Sequence, residues 1–171
     1  LLPNKQYIGT AGGLYKDKGV EVIYQAWEKL KHEMPNVHLV LAGPYQPDYP
    51  PPVEERVHYL GSLAHHEIST LFQALDLGII SILDTPFGRY CFPQKAYEML
   101  ACDLPVVVAN IGEMSYLFRD SPQVLFQTGN ANDLASKIQQ QLQSPQQQSI
   151  VVEDWATIIE RLEPMITALK F

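Results

Sequence analysis

The sequence predicts an α/β domain: an open parallel sheet with helices on both faces. Three observations carry that expectation. Strand-like and helix-like segments alternate along all 171 residues. The strand-like segments at 37–42, 77–83 and 104–109 are near-continuous apolar runs, as strands covered on both faces require. A composition of 46% hydrophobic and 18% charged residues is that of one folded domain, residues 1–171, with a sizeable core.

The elements follow in order. Residues 7–11 read as a short strand ending in Gly12 and Gly13. Gly19 then opens a helical pattern reaching Met34, in which Val20, Ile23, Trp27 and Leu30 recur at helical spacing and would face a sheet. Pro35 and Asn36 stop it, and residues 37–42 form a buried strand closed by Gly43 and Pro44. Residues 45–52 hold four prolines and two tyrosines without periodicity. That composition cannot pair inside a sheet and predicts a surface loop. A strand at 56–60, a helix at 66–75, a strand at 77–83, a loop at 84–92 and a helix at 93–102 come next. The strand 104–109 is followed by a last one at 123–126 and by a helix at 132–142, capped by Asn130 or Asn132. The glutamine-rich stretch 139–148 is expected to end that helix and turn, because an apolar helix follows.

Composition and motifs exclude several functions. Twelve Lys and Arg against nineteen Asp and Glu give a formal charge of −7, so a basic surface for nucleic acid is not encoded. No apolar stretch approaches the roughly 20 residues that span a bilayer. Cys91 and Cys102 have no zinc or redox spacing and read as free thiols in a reducing compartment. The five histidines lack neighbouring ligands at metal spacing, and no metal is expected. Serine nucleophile elbows, kinase loops and Walker loops are absent from the sequence. The opening Leu1, Leu2, Pro3 has no initiator Met or signal pattern, which suggests a piece of a longer protein.

In an open parallel sheet, ligands bind outside the carboxyl ends of the strands, so the strand-to-helix loops are the informative ones. Residues 12–19 carry Gly12, Gly13, Lys18 and Gly19 before a helix, an arrangement suited to phosphate; a glycine turn with solvated lysines is the plain alternative. Residues 86–101 place Pro93 at a first helical turn, with Gln94, Lys95 and, a turn later, Glu98. Glu98 either faces the crevice, where vicinal sugar hydroxyls would satisfy it, or pairs with a nearby base. The third loop, with Tyr59, Leu60 and Gly61, either presents backbone groups to a flat ligand or ends a strand in the ordinary way.

Read together and in order, these loops resemble the C-terminal, donor-binding half of the GT-B glycosyltransferases, in particular the large retaining family 4. The most specific match is Phe92, Pro93, Gln94, Lys95, Ala96, Tyr97, Glu98, Met99, Leu100 and Ala101, followed by Asp103 to Val107. Gly12, Gly13, Leu14, Lys18 and Gly19 match the family's glycine loop, with Gly13 standing where the family has an arginine. Tyr90 stands where the family has a further, sugar-contacting glutamate. Residues 57–61 resemble the base-binding loop, and Asp154, Trp155 and Ala156 begin a segment similar to the closing helix that crosses to the other half.

The resemblance implies a Rossmann-like domain, one half of a GT-B fold, whose N-terminal acceptor-binding half lies outside these residues. It implies sugar transfer from a UDP- or GDP-linked donor with retention, without a cofactor or metal. Glu98 would grip the ribose. Gly12, Gly13, Lys18, Pro93, Gln94 and Lys95 would hold the diphosphate, and Tyr59, Leu60 and Gly61 the nucleobase. Lys16 or Arg89 would supply the charge that the arginine position lacks. A role in glycan assembly, in the cytoplasm or peripherally at the inner face of a membrane, follows as the family expectation. The alternatives are a non-catalytic binding module with a degenerate donor site, which Gly13 and Tyr90 suggest, and a generic Rossmann-like interaction domain.

Overall fold

Six parallel strands form one sheet in the order β3-β2-β1-β4-β5-β6. They are β1 Gln6–Ala11, β2 Val37–Ala42, β3 Val57–Tyr59, β4 Leu77–Ile80, β5 Val106–Ala109 and β6 Leu125–Phe126. The computed structural model describes residues 4–146, 148 and 150–168. The helices are α1 Val20–Glu33, α2 His65–Ala74, α3 Pro86–Tyr90, α4 Gln94–Leu100, α5 Gly112–Leu117, α6 Ala131–Gln143 and α7 Trp155–Thr167. The step from β1 to β2 and the step from β3 to β4 run in opposite directions across the sheet. Right-handed crossovers therefore put α1 and α2 on opposite faces. α6 packs on α1, and α4 packs beside α2 over β4 and β5.

The apolar runs do what their composition requires: every residue of β2, β4 and β5 is buried. On α1, Val20, Ile23, Trp27 and Leu30 are all buried as their spacing predicts. Trp27 keeps its indole N–H satisfied by Glu54 Oε2 at 3.1 Å, and Lys31 donates to the other oxygen, Glu54 Oε1, at 2.8 Å. The proline-rich segment lies by the same helix, where Tyr24 donates its hydroxyl proton to Tyr49 O at 3.4 Å.

Several boundaries differ from expectation. The segment 84–92, expected as a loop, contains α3: Thr85 caps it by accepting from the Gly88 N–H at 3.2 Å, and Pro86 fits its first turn. β4 stops at Ile80 rather than Leu83, because its pairing with β5 ends there. The strands expected at 56–60 and 123–126 shorten to β3 and β6, and α4 to seven residues. The helix α5 was not expected; Ile111 and Met114 bury its apolar side in only six residues, too short for a periodic signal. Asn130, not Asn132, caps α6, accepting from the N–H groups of Asn132 and Asp133, each at 3.1 Å. The turn expected after α6 falls partly outside the described residues. No described helix is long and apolar enough to cross a membrane.

Candidate functional site

β1 leads to β2 on one side and β4 to β5 on the other, so their carboxyl ends part at the sheet's switch point. The main crevice opens there, with a volume of about 720 Å³. Gly12 and Lys18 enter from the loop after β1, and Pro93, Gln94, Lys95 and Glu98 from the start of α4. Six of the residues singled out from sequence thus converge on one cavity. Ile68 and Phe72 of α2 and Phe92 give it an apolar end.

The loop after β1 is held by backbone bonds. Gly12 N–H donates to Ala42 O at 2.9 Å and Leu14 N–H to Pro44 O at 2.8 Å. Gly43 crosses directly beneath it with φ +123°, and a Cβ there would lie 2.1 Å from Gly12 O. Only glycine permits that approach. Gly43 N–H also donates to Gly61 O at 2.7 Å, and the Tyr59 hydroxyl to Gly43 O at 2.9 Å. Tyr59, Leu60 and Gly61 are therefore one glycine away from the crevice but do not line it.

Gly13 does not line the cavity either. A Cβ at Gly13 would meet the Tyr15 ring at 2.4 to 2.8 Å, so the aromatic ring fills the space a side chain at position 13 would enter. Neither residue expected to compensate does so. Lys16 is exposed outside the crevice, and Arg89 is drawn away into an exposed pair with Asp84, Nε to Oδ1 at 2.5 Å. That guanidinium holds the Asp84 carboxyl below the usual range.

The second cation in the crevice is Lys95. Its ammonium passes under the glycine loop and donates to Thr10 Oγ1 at 3.1 Å, with Nζ 3.5 Å from where a Cβ of Gly12 would stand. Burial first, and then the charge of Lys18, pull it down to about 8, against the opposing pull of Glu98. Lys18 itself rests its ammonium 4.4 Å from the centre of the Phe87 ring.

At α4 two of the first backbone amides are taken up within the turn. Gln94 N–H donates to Phe92 O and Ala96 N–H to Pro93 O, each at 2.9 Å, so the tight turn at Pro93 satisfies them internally. The helix offers side chains instead. Gln94, expected at the diphosphate, donates its side-chain amide to Glu98 Oε1 at 2.8 Å and so orients that carboxylate. Phe92 stacks on Tyr97 with centroids 5.4 Å apart.

Sequence reasoning missed Ser81, His65 and His66 and the crevice-lining position of both cysteines, and Thr10, which accepts from Lys95 behind the lining. Thr10 lies inside a strand and carried no signal beyond its place near the carboxyl end. His65 and His66 follow the third loop into α2, and that adjacency was the available clue. Cys91 and Cys102 are free and partly buried. Among the described residues no three His, Cys, Asp or Glu side chains gather as a metal site.

A six-stranded parallel sheet in this order, with a charged crevice at its switch point, defines a Rossmann-like α/β domain. Residues 5–144 match the model of the glycosyl transferases group 1. The chain belongs to that family. No curated protein matches it by sequence. Among solved structures it is similar to Anabaena Alr3699/HepE in complex with UDP and glucose, at 24% identity and a TM-score of 0.74, over 97% of this chain and 49% of that one. It is also similar to the C-terminal domain of a glycosyl transferase group 1 family protein, LpcC, from Francisella tularensis (17%, TM-score 0.69, 94% and 87%). A third is the UDP-forming α,α-trehalose-phosphate synthase of Burkholderia xenovorans (13%, TM-score 0.67, 83% and 37%). The chain thus spans about half the length of HepE, and the fold is that of one half of a GT-B glycosyltransferase.

Proposed function

We propose that this domain binds the nucleotide-diphosphate sugar donor of a retaining glycosyltransferase whose acceptor-binding half lies elsewhere in the protein. The observation that carries the reading is the convergence of Lys18, Lys95 and an oriented Glu98 on one crevice at the switch point. Two cations and one carboxylate leave a positive site, suited to a diphosphate; the carboxylate beside it suits the vicinal hydroxyls of a ribose. HepE structures holding UDP and UDP-glucose support a nucleotide sugar as the ligand class.

In this reading Glu98 accepts from the ribose, while Lys18 and Lys95 face the diphosphate beside Gly12, with Pro93 and Gln94 around it. Tyr59, Leu60 and Gly61 border the base. Negative charge grows on the departing diphosphate as the glycosidic bond breaks, and the fixed cations stabilise it most in that state. No protein nucleophile is needed by that route. The apolar stripe of α7, with Trp155, Ile159 and Leu162 exposed, suits packing against the acceptor half. Cytoplasmic glycan assembly, peripheral to a membrane, is the setting that goes with this reading. A degenerate binding module is not favoured, because the charged crevice is intact despite Gly13 and Tyr90.

The test is thermal denaturation with UDP, GDP, ADP and their nucleosides, since a ligand of the folded state raises Tm. A diphosphate-dependent rise with one base supports the reading; no rise at millimolar ligand, in the domain and in the full-length protein, overturns it. Glu98→Ala is expected to weaken nucleotide binding by about tenfold to a hundredfold with Tm unchanged. Lys18→Ala should weaken diphosphates more than nucleosides. Affinities equal to wild type in both variants would remove the assignment.

A further inference from the structure

The crevice holds more positive charge than its own groups neutralise, and the two lysines are held differently. Lys18 sits at the rim, half-buried against Phe87. Lys95 reaches inward from α4, and its one hydrogen-bond partner among the described residues is a neutral hydroxyl, Thr10 Oγ1. Its ammonium has three donors. The carboxylate on its own helix, Glu98, is already bonded by Gln94. The other titratable groups facing the cavity are His65 and His66 from α2, Cys91 before α4, and Cys102 after it. None of these gives Lys95 an ion pair.

A desolvated ammonium facing another ammonium is costly to keep charged until an anion arrives. An arriving diphosphate reverses the balance, because it supplies both the counter-charge and the missing acceptors.

We propose that the nucleoside diphosphate binds together with a proton taken up on Lys95, so that Lys95 makes the crevice's hold on the diphosphate fall as pH rises while its hold on the nucleoside does not. This deepens the donor-site reading and rests on it. It adds that release of the diphosphate product is eased by proton loss from one identified side chain. The depressed position of Lys95, at about 8, agrees with the geometry.

Below about 8 the free site is already charged and binding needs no proton; above it, each binding event must first restore the charge. The last proton of a terminal phosphate leaves near pH 6, so the ligand's phosphate charge is constant between about pH 7.5 and 9.5, and ionisation of the uracil or guanine ring at the top of that interval is common to diphosphate and nucleoside and cancels in the ratio of their affinities. Over that interval the charged fraction of a group at about 8 falls about twentyfold.

The experiment is isothermal titration of the protein with UDP, GDP and ADP, and with the matching nucleosides, at several pH values in that interval. Each titration is repeated in buffers of different ionisation enthalpy, which reads the protons taken up. For the diphosphate that binds, affinity relative to its nucleoside should fall about twentyfold, and proton uptake beyond the nucleoside's should rise toward one per site. Lys95→Arg, which keeps a charge throughout, should bind and flatten both trends. Lys95→Met should bind diphosphate weakly at every pH with nucleoside affinity kept.

A pH-independent affinity in the wild type overturns this proposal and leaves the donor site standing. A pH dependence of the diphosphate-to-nucleoside ratio that survives in Lys95→Arg also overturns it, since another group would then carry the proton. No binding of any diphosphate at any pH removes both the proposal and the reading beneath it.

Discussion

The two ends of the central strands both hold basic groups out of water, and they differ in what satisfies them. Toward the amino end, His38 of β2 and His58 of β3 stack with centroids 5.1 Å apart, their Nδ1 and Nε2 separated by 2.9 Å. Tyr7 N–H donates to Asp76 Oδ2 at 2.7 Å. Arg56 donates to Met34 O at 3.0 Å and Val37 O at 3.1 Å, and also to Lys31 O, closing the C-terminal end of α1. At the carboxyl end Lys95 has a hydroxyl and Lys18 an aromatic face. One end spends its polar groups on the fold, and the other leaves them for a ligand. The backbone at the ligand end is nonetheless the more rigidly constrained, through Gly43 and Gly12.

The largest effect should come from breaking that frame. Gly43→Ala adds a Cβ 2.1 Å from Gly12 O at φ +123°, and we expect a loss of about 3 kcal/mol in denaturant unfolding. A loss below about 1 kcal/mol would mean that the loop shifts freely, and the contrast in rigidity would fail.

Next comes the amino end. Arg56→Ala should cost about 2 kcal/mol by leaving the carbonyls at the end of α1, and Val37 O at the start of β2, short of donors. Nucleotide affinity measured on the folded variant should not change. A variant that loses affinity while keeping its Tm would contradict the division of labour between the two ends.

The smallest effect is a pH dependence that sharpens the comparison. Burial first, then His58, Lys5 and Arg56, push His38 below its ordinary value, against Glu55. Its Nε2 is buried with no hydrogen-bond partner among the described residues, so a charged ring would have a proton with nowhere to donate. A folded-state value below the unfolded one means the contribution is present above the ordinary value of about 6.5 and lost as pH falls below it. Tm should therefore drop between about pH 7.5 and 5.5, and His38→Gln should flatten that drop. An identical slope in the variant would assign the acid sensitivity to other groups. The amino end then loosens in acid by gaining a proton, whereas the carboxyl end weakens its ligand in base by losing one.

Much of the fold was legible because burial on both faces forces an unmistakable composition. Val37–Ala42 and Val106–Ala109 have no polar side to hide, apart from His38, and their sequences say so. The four buried positions read on α1 were equally plain. What escaped were short elements. α3 and α5 have five and six residues, and the Thr85 cap of α3 and the packing of the two helices on each other, rather than any period, decide them. At the site, Glu98, Lys18 and Lys95 could be named from loop position and from the family resemblance. Thr10 could not, because nothing in a strand's sequence tells which residue a distant lysine will reach.

By itself the sequence determined the alternation of elements, the sheet's double covering, and which loops carry charge, since all three follow from local composition and periodicity. Only the tertiary structure decided which charges share a cavity. Position 13 reads as a vacancy in the chain, yet in space the Tyr15 ring fills it. Arg89 reads as a spare cation, yet Asp84 holds it at the surface. Lys95 reads as a diphosphate-facing lysine, but only the switch point brings it beneath Gly12 and within the field of Lys18, where burial and like charge change its chemistry. A side chain's electrostatic role depends on neighbours far away along the chain, and those neighbours are fixed by strand order and not by spacing.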